Sequence, residues 1–374
     1  LLNGFFANAV RIDTEYWGVF GQAEYSLTDS LRLIAGIRYN DETKSADCGG
    51  SNFTGDENGD GSVDRVVNVK DGVDGSSPLI LPENASDLFT YNCGASDAVT
   101  SESDGEYDNV TWKAAVEYDL SDDTMLYLTA STGYLSGSAS TDATTDEQES
   151  EVIEFGWKSV FLDNTLQFNG AVHYTEYTNL LTQRQRIDEN TGIVLTFSDN
   201  GGDIEAWGVE LDAVWLPLDA LTLTAQFAYL DSEFGTYGQT NPYQLYKGQV
   251  QAFVDQDGAT TPWSPEITFG GSAAYRFDLS DKGSLTLYGQ TYYSDEYNTS
   301  NLLATDPSHE QDSYTKTDAR LIWDSPEQRY AIELFIENIE DNEVLARGNN
   351  NSDDVVQTSY LYPQNYGLKF RAVF

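Results

Sequence analysis

Apolar and polar side chains alternate with a period of two along most of this chain, which restricts it to strands that separate two different surroundings. The segment 360–374 shows the pattern plainly: Tyr366, Leu368, Phe370, Ala372 and Phe374 share one face, and Gly367, Lys369, Arg371 and Val373 the other. Successive side chains of a strand point to opposite faces. An apolar row backed by a charged row therefore fits a wall between hydrocarbon and a watery lumen.

Segments of this kind number about thirteen. The first clear one, 14–27, sets Trp17, Val19, Ala23, Tyr25 and Leu27 against Gln22, Glu24 and Ser26. Its neighbour sets Leu31, Leu33, Ala35, Ile37 and Tyr39 against Arg32, Gly36, Arg38 and Asn40. The connections 28–30, 121–123, 162–164, 218–220, 280–283 and 325–328 are short, and those between them are long. Such sorting marks an up-and-down barrel in an outer membrane, with short periplasmic turns and long extracellular loops. A β-sandwich has no reason to sort its loops. The expected fold is all-β: a transmembrane antiparallel up-and-down β-barrel of about thirteen or fourteen strands. An odd count calls for one more strand, from residues 1–12 or from sequence beyond the chain, because bacterial single-chain barrels hold an even number. The main extracellular loops are expected at 41–106 and 233–262.

Composition agrees. Gly 31, Tyr 24, Phe 17 and Trp 7 against Met 1 and Pro 9 favour aromatic, turn-punctuated strands. No apolar run approaches the roughly 18 residues of a spanning helix. The mean hydropathy of −0.45 is compatible with a membrane wall, since barrel strands need apolar residues only at alternate positions. The net charge of −43, from 62 acidic and 19 basic residues, excludes nucleic acid as a partner, because phosphate binding requires Lys and Arg clusters. Acid gathers between strands, at 41–108, 141–151 and 353–354, which reads as solvated loops able to attract cations.

Six stretches, in this order, resemble the carboxy-terminal part of the barrel of TonB-dependent outer-membrane receptors: EYWGVFGQAEYSLTDSLRLIAGIRY over 15–39, YLTASTGY over 127–134, EFGWK over 154–158, EAWGVEL over 205–211, ENIED over 337–341 and YPQNYGLKF over 362–370. Leu135 and Gln364 depart from the basic residues the family often carries there. The resemblance implies the later part of a barrel of about 22 strands closed around a plug. It also implies the outer membrane of a Gram-negative bacterium and TonB-energised uptake of a scarce solute: an iron chelate, cobalamin or a carbohydrate. The plug and the segment that engages TonB are not in this sequence. The opening at Leu1 shows no secretory leader, so the expectation is a processed or partial sequence. Tyr366, Leu368, Phe370 and Phe374 are the expected barrel-assembly signal, with the assembly machinery, outer-membrane lipid, lipopolysaccharide and surface proteins as partners. Two other functions fit the same wall: a surface assembly barrel whose calcium-stiffened loops bind partner proteins, and a passive diffusion channel.

Three constellations could carry chemistry. Asp56, Asn58, Asp60, the Ser62 carbonyl and Asp64 recur at the spacing of a calcium loop, with Gly61 permitting the sharp turn. Val67 stands where the usual bidentate acid would be, so the segment resembles shorter nine-residue calcium loops, and structural Ca²⁺ is the expected cofactor. Cys48 and Cys93 flank it, and an oxidising compartment would let them pair. The second constellation is the set of charges predicted to face the lumen: Arg32, Arg38, Lys113, Glu117, Glu154, Lys158, Glu210, Asp212, Arg276, Asp318, Arg320, Glu333, Glu337, Lys369 and Arg371. Mixed signs imply a wet or plug-filled interior, whether they contact a plug or pair between strands. The third is the aromatic set Phe234, Tyr237, Tyr243, Tyr246 and Trp263, able to stack a ligand or to pack the loop on itself. No catalytic residue is expected: the chain has two histidines, His173 and His309, and no nucleophile in a recognisable setting.

Overall fold

Each alternating segment pairs with the next one along the chain. The computed structural model describes residues 6–54, 65–67, 102–139, 144–187, 194–240, 253–299, 309–350 and 356–373. Thirteen long strands follow one another as an antiparallel meander. They are β1 (Phe6–Thr28), β2 (Leu31–Thr54), β3 (Glu102–Ser121), β4 (Thr124–Leu135), β5 (Gln148–Phe161), β6 (Leu166–Thr178) and β7 (Gly202–Leu218), then β8 (Leu221–Thr240), β9 (Ile267–Asp278), β10 (Ser284–Ser294), β11 (Tyr314–Asp324), β12 (Tyr330–Glu337) and β13 (Asn365–Ala372). β1 and β13 are the two edges, and no pairing joins them among the described residues. Two short strands, Arg65–Val67 and Phe253–Asp255, add to β2 and β8, and the hairpins Leu181–Ile187/Val194–Asn200 and Leu345–Asn350/Val356–Tyr360 stand in long connections.

All six expected short turns are present, and their geometry explains the residues in them. Leu162, Asp163 and Asn164 are left-handed in succession, with φ of 56°, 54° and 67°, which reverses the chain between β5 and β6. Gly283, at φ 89°, closes the β9–β10 turn by accepting the Leu279 amide at 2.9 Å; a Cβ there would overlap the Asp324 carbonyl.

Two boundaries differ from the sequence reading. Residues 6–12 form no separate strand; they prolong β1, with Phe6 opposite Asn52 and Ile12 opposite Ala46. The segment 41–106, assigned above to a loop, is strand at both ends, since β2 runs to Thr54 and β3 begins at Glu102. Likewise 233–240 continues β8. Crossing a bilayer takes about 9–11 tilted residues, so strands of 23, 24 and 20 residues stand well clear of it. Beyond the lipid the outward face need no longer be apolar, yet the backbone still gains from pairing, so strand continues where alternation of hydrophobicity stops.

The sheet has no two-layer core. Among the described residues the buried apolar side chains are Ala46, Tyr107, Ala115, Ala139, Phe234, Tyr237, Ala331 and Val344. The large apolar ones of the alternating rows are exposed instead: Trp17 at 52 %, Ile37 at 61 % and Phe370 at 63 %. A water-facing sheet would not leave this row open, whereas acyl chains would cover it. Tyr366 and Leu368 continue the row on β13; Phe374 lies outside the described residues. On the same outward face, Glu151, Glu176, Glu205 and Glu233 stand directly opposite one another across β5, β6, β7 and β8.

Candidate functional site

Register fixes what faces inward. Arg32 lies opposite Glu117, Glu154 opposite His173, Asp212 opposite Asn169 and Gln226, Arg276 opposite Thr286, Asp318 opposite Gln290, and Glu333 opposite Lys369. Stepping by two from these pairs puts all fifteen charges predicted for the lumen on one face. Many pair with each other. The Arg32 guanidinium donates to Glu117 at 3.0 Å, Arg320 reaches Glu337 at 3.2 Å and Glu333 at 3.8 Å, and Lys369 reaches Glu333 at 3.3 Å. Arg371 meets Asp324 at 3.4 Å, and the Asn169 amide donates to Asp212 at 2.9 Å. The Tyr127 hydroxyl donates to Glu154 at 2.7 Å, with Lys158 over its ring, and Gln290 donates to Asp318 at 2.7 Å. Arg38 donates to Asn40 at 2.5 Å and to the Tyr16 hydroxyl. Interstrand pairing therefore accounts for much of this face. Lys113, Glu210 and Arg276 have no charged partner among the described residues.

A cavity of about 810 Å³ opens on this inward face, at the end of β6, β7 and β8 that carries the long connections. His173, Thr175 and Tyr177 come from β6, Ile204 and Ala206 from β7, and Ser232, Phe234 and Tyr237 from β8. Leu181 and Thr182 enter from the hairpin after β6, Thr261 and Ser264 from the segment before β9, and Arg347 from the hairpin before β13. Three features shape it. Gly208 faces His173 across the strands, and a Cβ there would come within 2.6 Å of the imidazole Nε2, so only glycine leaves the ring its place. Phe234 and Tyr237 stack at 4.1 Å and 10°, each 6 % exposed, forming one apolar slab. Ser232, Thr261 and Ser264 link hydroxyl to hydroxyl at 2.7 Å each, which satisfies them without charge.

Charge is sorted across this region. Among the described residues that line the cavity there is no carboxylate and one full cation, Arg347. An adjoining 450 Å³ cavity gathers Asp231, Glu233, Glu266, Asp295, Glu296 and Glu310.

The aromatic set predicted from sequence is divided by the fold. Phe234 and Tyr237 line the cavity; Trp263, left-handed at φ 64° and 43 % exposed, lies instead against Tyr297 at 6.1 Å. Tyr243 and Tyr246 lie outside the described residues. So do the calcium-loop residues Asp56, Asn58, Asp60, Ser62 and Asp64, and Cys93; Cys48 falls on β2 opposite Val10. Among the described residues no cluster of three or more metal-binding side chains occurs. Sequence reasoning passed over Arg347, Ser232 and Thr261. Ser232 is an ordinary polar residue of β8, Thr261 lies in the segment before β9 and Arg347 in the hairpin before β13, and only the folding of three connections over one patch of wall brings them together.

The pattern of the TonB-dependent receptor-like β-barrel matches residues 2–339. The chain belongs to that family. Its members sit in the outer membrane of Gram-negative bacteria, which makes the exposed apolar face of this barrel wall the lipid-facing one. Over 141 residues the chain is 30 % identical to the "Probable TonB-dependent siderophore receptor PiuA" of Acinetobacter baumannii, a match covering 35 % of this chain and 18 % of that protein. Among solved structures it is similar to the ferric yersiniabactin uptake receptor FyuA of Yersinia pestis, with a TM-score of 0.70 at 17 % identity over 99 % of this chain and 47 % of that one. It is also similar to the siderophore receptor PiuA of A. baumannii, with a TM-score of 0.65 at 17 % identity over 97 % and 43 %. The ferric-catecholate import receptor Fiu of E. coli K12 gives 0.64 at 17 % over 98 % and 45 %. The chain thus spans less than half the length of these receptors, and at such identity they bear on the fold alone.

Proposed function

We propose that this chain is the later part of the barrel of an outer-membrane receptor that takes up a ferric chelate by TonB-energised transport. The observation that carries this reading is membership of the TonB-dependent receptor family, joined to a cavity at the extracellular end of the inward face. An aromatic slab, a hydroxyl cluster and few charges are what a small-molecule site needs: apolar area for affinity, and a small number of placed polar groups for orientation. Relatives named as siderophore receptors favour an iron chelate over cobalamin or a carbohydrate. The energised step would come from TonB acting through a plug, and the inward charges Lys113, Glu210 and Arg276, which have no charged partner among the described residues, are the wall's candidates for plug contact. Lipopolysaccharide would surround the outward face.

Cells in which this receptor is the one route for a ferric chelate should accumulate radioactive iron only while TonB and the proton-motive force are intact. Uptake that persists at full rate without TonB would replace the proposal with a diffusion channel.

Two further elements of the reading are the calcium loop at 56–64 and a Cys48–Cys93 disulfide. Thr54 pairs with Arg65, so the backbone on either side of that loop is drawn together, which supports a compact loop there.

A further inference from the structure

The connection between β4 and β5 is fastened at its two ends to parts of the molecule that share no strand pairing. At its start Lys44, on the inward face of β2, donates from its ammonium to the Ser136 hydroxyl at 2.7 Å and to the Gly137 carbonyl at 2.8 Å, with Glu42 at 3.3 Å. An ammonium has three donors and no acceptor, so these contacts use its capacity in full. Tyr107 of β3 has its ring centre 5.6 Å from the same nitrogen, and its hydroxyl donates to the Ser138 carbonyl at 3.4 Å. The two sides of the connection then close on each other. The Thr145 amide donates to the Ser138 carbonyl at 3.0 Å, the Ser138 amide donates to the Thr145 hydroxyl at 2.8 Å, and Ala139 bridges to Thr144. Ser136, Ala139, Thr145 and Tyr107 are buried, and a Cβ on Gly137 would overlap both the Thr145 carbonyl and the Tyr107 ring, so only glycine passes between them.

At the far end the fastening is Asn200. Its side-chain oxygen accepts the Asp146 amide at 2.7 Å, and its amide nitrogen donates to the carbonyls of Asp146 at 3.0 Å and Asn179 at 2.9 Å. Gln148 adds a contact by accepting the Leu181 amide at 3.0 Å. Leu181 and Asn200 are opposite each other at the base of the hairpin Leu181–Ile187/Val194–Asn200, which brings Leu181 and Thr182 to the 810 Å³ cavity. The ladders of β6 with β5 and with β7 end at Thr178 and Tyr177, below this hairpin, so its lean depends on what it touches sideways. In the sheet β3, β4, β5 and β6 separate it from β2.

We infer that residues 136–139 and 144–147 act as a strap across those four strands: Lys44 at one end and Asn200 at the other hold the hairpin after β6 in place beside the cavity. Lys44 is then a positioning residue for a wall it does not touch. The inference concerns the frame of the cavity and holds whatever enters it.

The test is amide hydrogen exchange on the receptor in detergent, comparing the natural sequence with Lys44→Met, which keeps the stem and removes the charge, with Asn200→Ala, and with both together. Lys44→Met should speed exchange about tenfold or more at Ser138 and Thr145, the scale of a lost charged hydrogen bond, and the acceleration should reach Leu181 in the hairpin. Asn200→Ala should in return speed Ser138 and Thr145, because coupling between two sites is reciprocal. The double variant should exceed the larger single effect by little, since either loss opens the same strap. Amides of β9 to β12, remote in the sheet, should keep their protection. Additive effects, each confined to its own end, would overturn the strap and leave two unconnected contacts. Should Lys44→Met also lower protection in β9 to β12, the Asn200→Ala arm decides alone: acceleration at Ser138 and Thr145 upholds the strap, and its absence overturns it.

Discussion

Glu340 shows how a single carboxylate fastens the end of a barrel strand. It lies in the turn after β12 and accepts the Thr317 backbone amide at 2.7 Å, while Asn338 in the same turn donates its amide to Asp318 at 2.9 Å. Desolvation pushes the Glu340 carboxyl up, but the hydrogen bonds from Thr317 outweigh it and hold the group below its ordinary 4.5. A depressed folded-state value means that the contribution is complete above that ordinary value and disappears as pH falls through the folded one. The Thr317 amide should therefore lose protection from hydrogen exchange as the medium is acidified past the ordinary carboxylate value, once corrected for intrinsic exchange. In Glu340→Gln that step should be absent, and a step that survives the substitution would show that another group fastens the turn. None of this was legible in the sequence, where ENIED is only one of six stretches that carry the family resemblance. The turn's partner is contributed by a strand some twenty residues earlier.

At the scale of elements, strand pairing creates contacts that no single strand announces. Glu151, Glu176, Glu205 and Glu233 each read in isolation as one polar residue where a strand leaves the membrane. Register aligns them into a row across four strands, each facing a like charge. Like charges directly opposite each other destabilise a sheet. Glu205 has such a neighbour on both sides, so Glu205→Gln should raise the denaturation midpoint of the receptor in detergent at low ionic strength. The gain should shrink in high salt, where the repulsion is screened. No change at low salt would mean that the row is already neutralised. Strand order, by contrast, was readable in advance. Six short turns of Asp, Asn, Ser and Gly between alternating segments leave the meander as the simplest connection, because a two- to five-residue link can only join neighbouring antiparallel strands.

The whole molecule divides into a lipid-covered band and a raised rim. The band is held by pairing along all thirteen strands; the rim consists of the extended ends of β1, β2, β3 and β8 and the hairpins between strands. If calcium occupies the 56–64 loop and Cys48 is bonded to Cys93, both act on the rim alone. Removing calcium with a chelator should open 55–101 to protease while fragments of the band stay intact, and a reductant should add to the effect. Cleavage indifferent to chelator would dispose of the calcium site. What the sequence determined by itself is the wall: a period of two with one apolar row requires a sheet with hydrocarbon on one side and water on the other. It also determined the inward charges, since parity along a strand settles the face of each residue. The tertiary structure alone decided how far the strands reach beyond the lipid, because backbone pairing continues without a hydrophobic signal. It alone decided the cavity too, because His173, Ser232, Thr261 and Arg347 are separated by long connections whose paths no local pattern encodes.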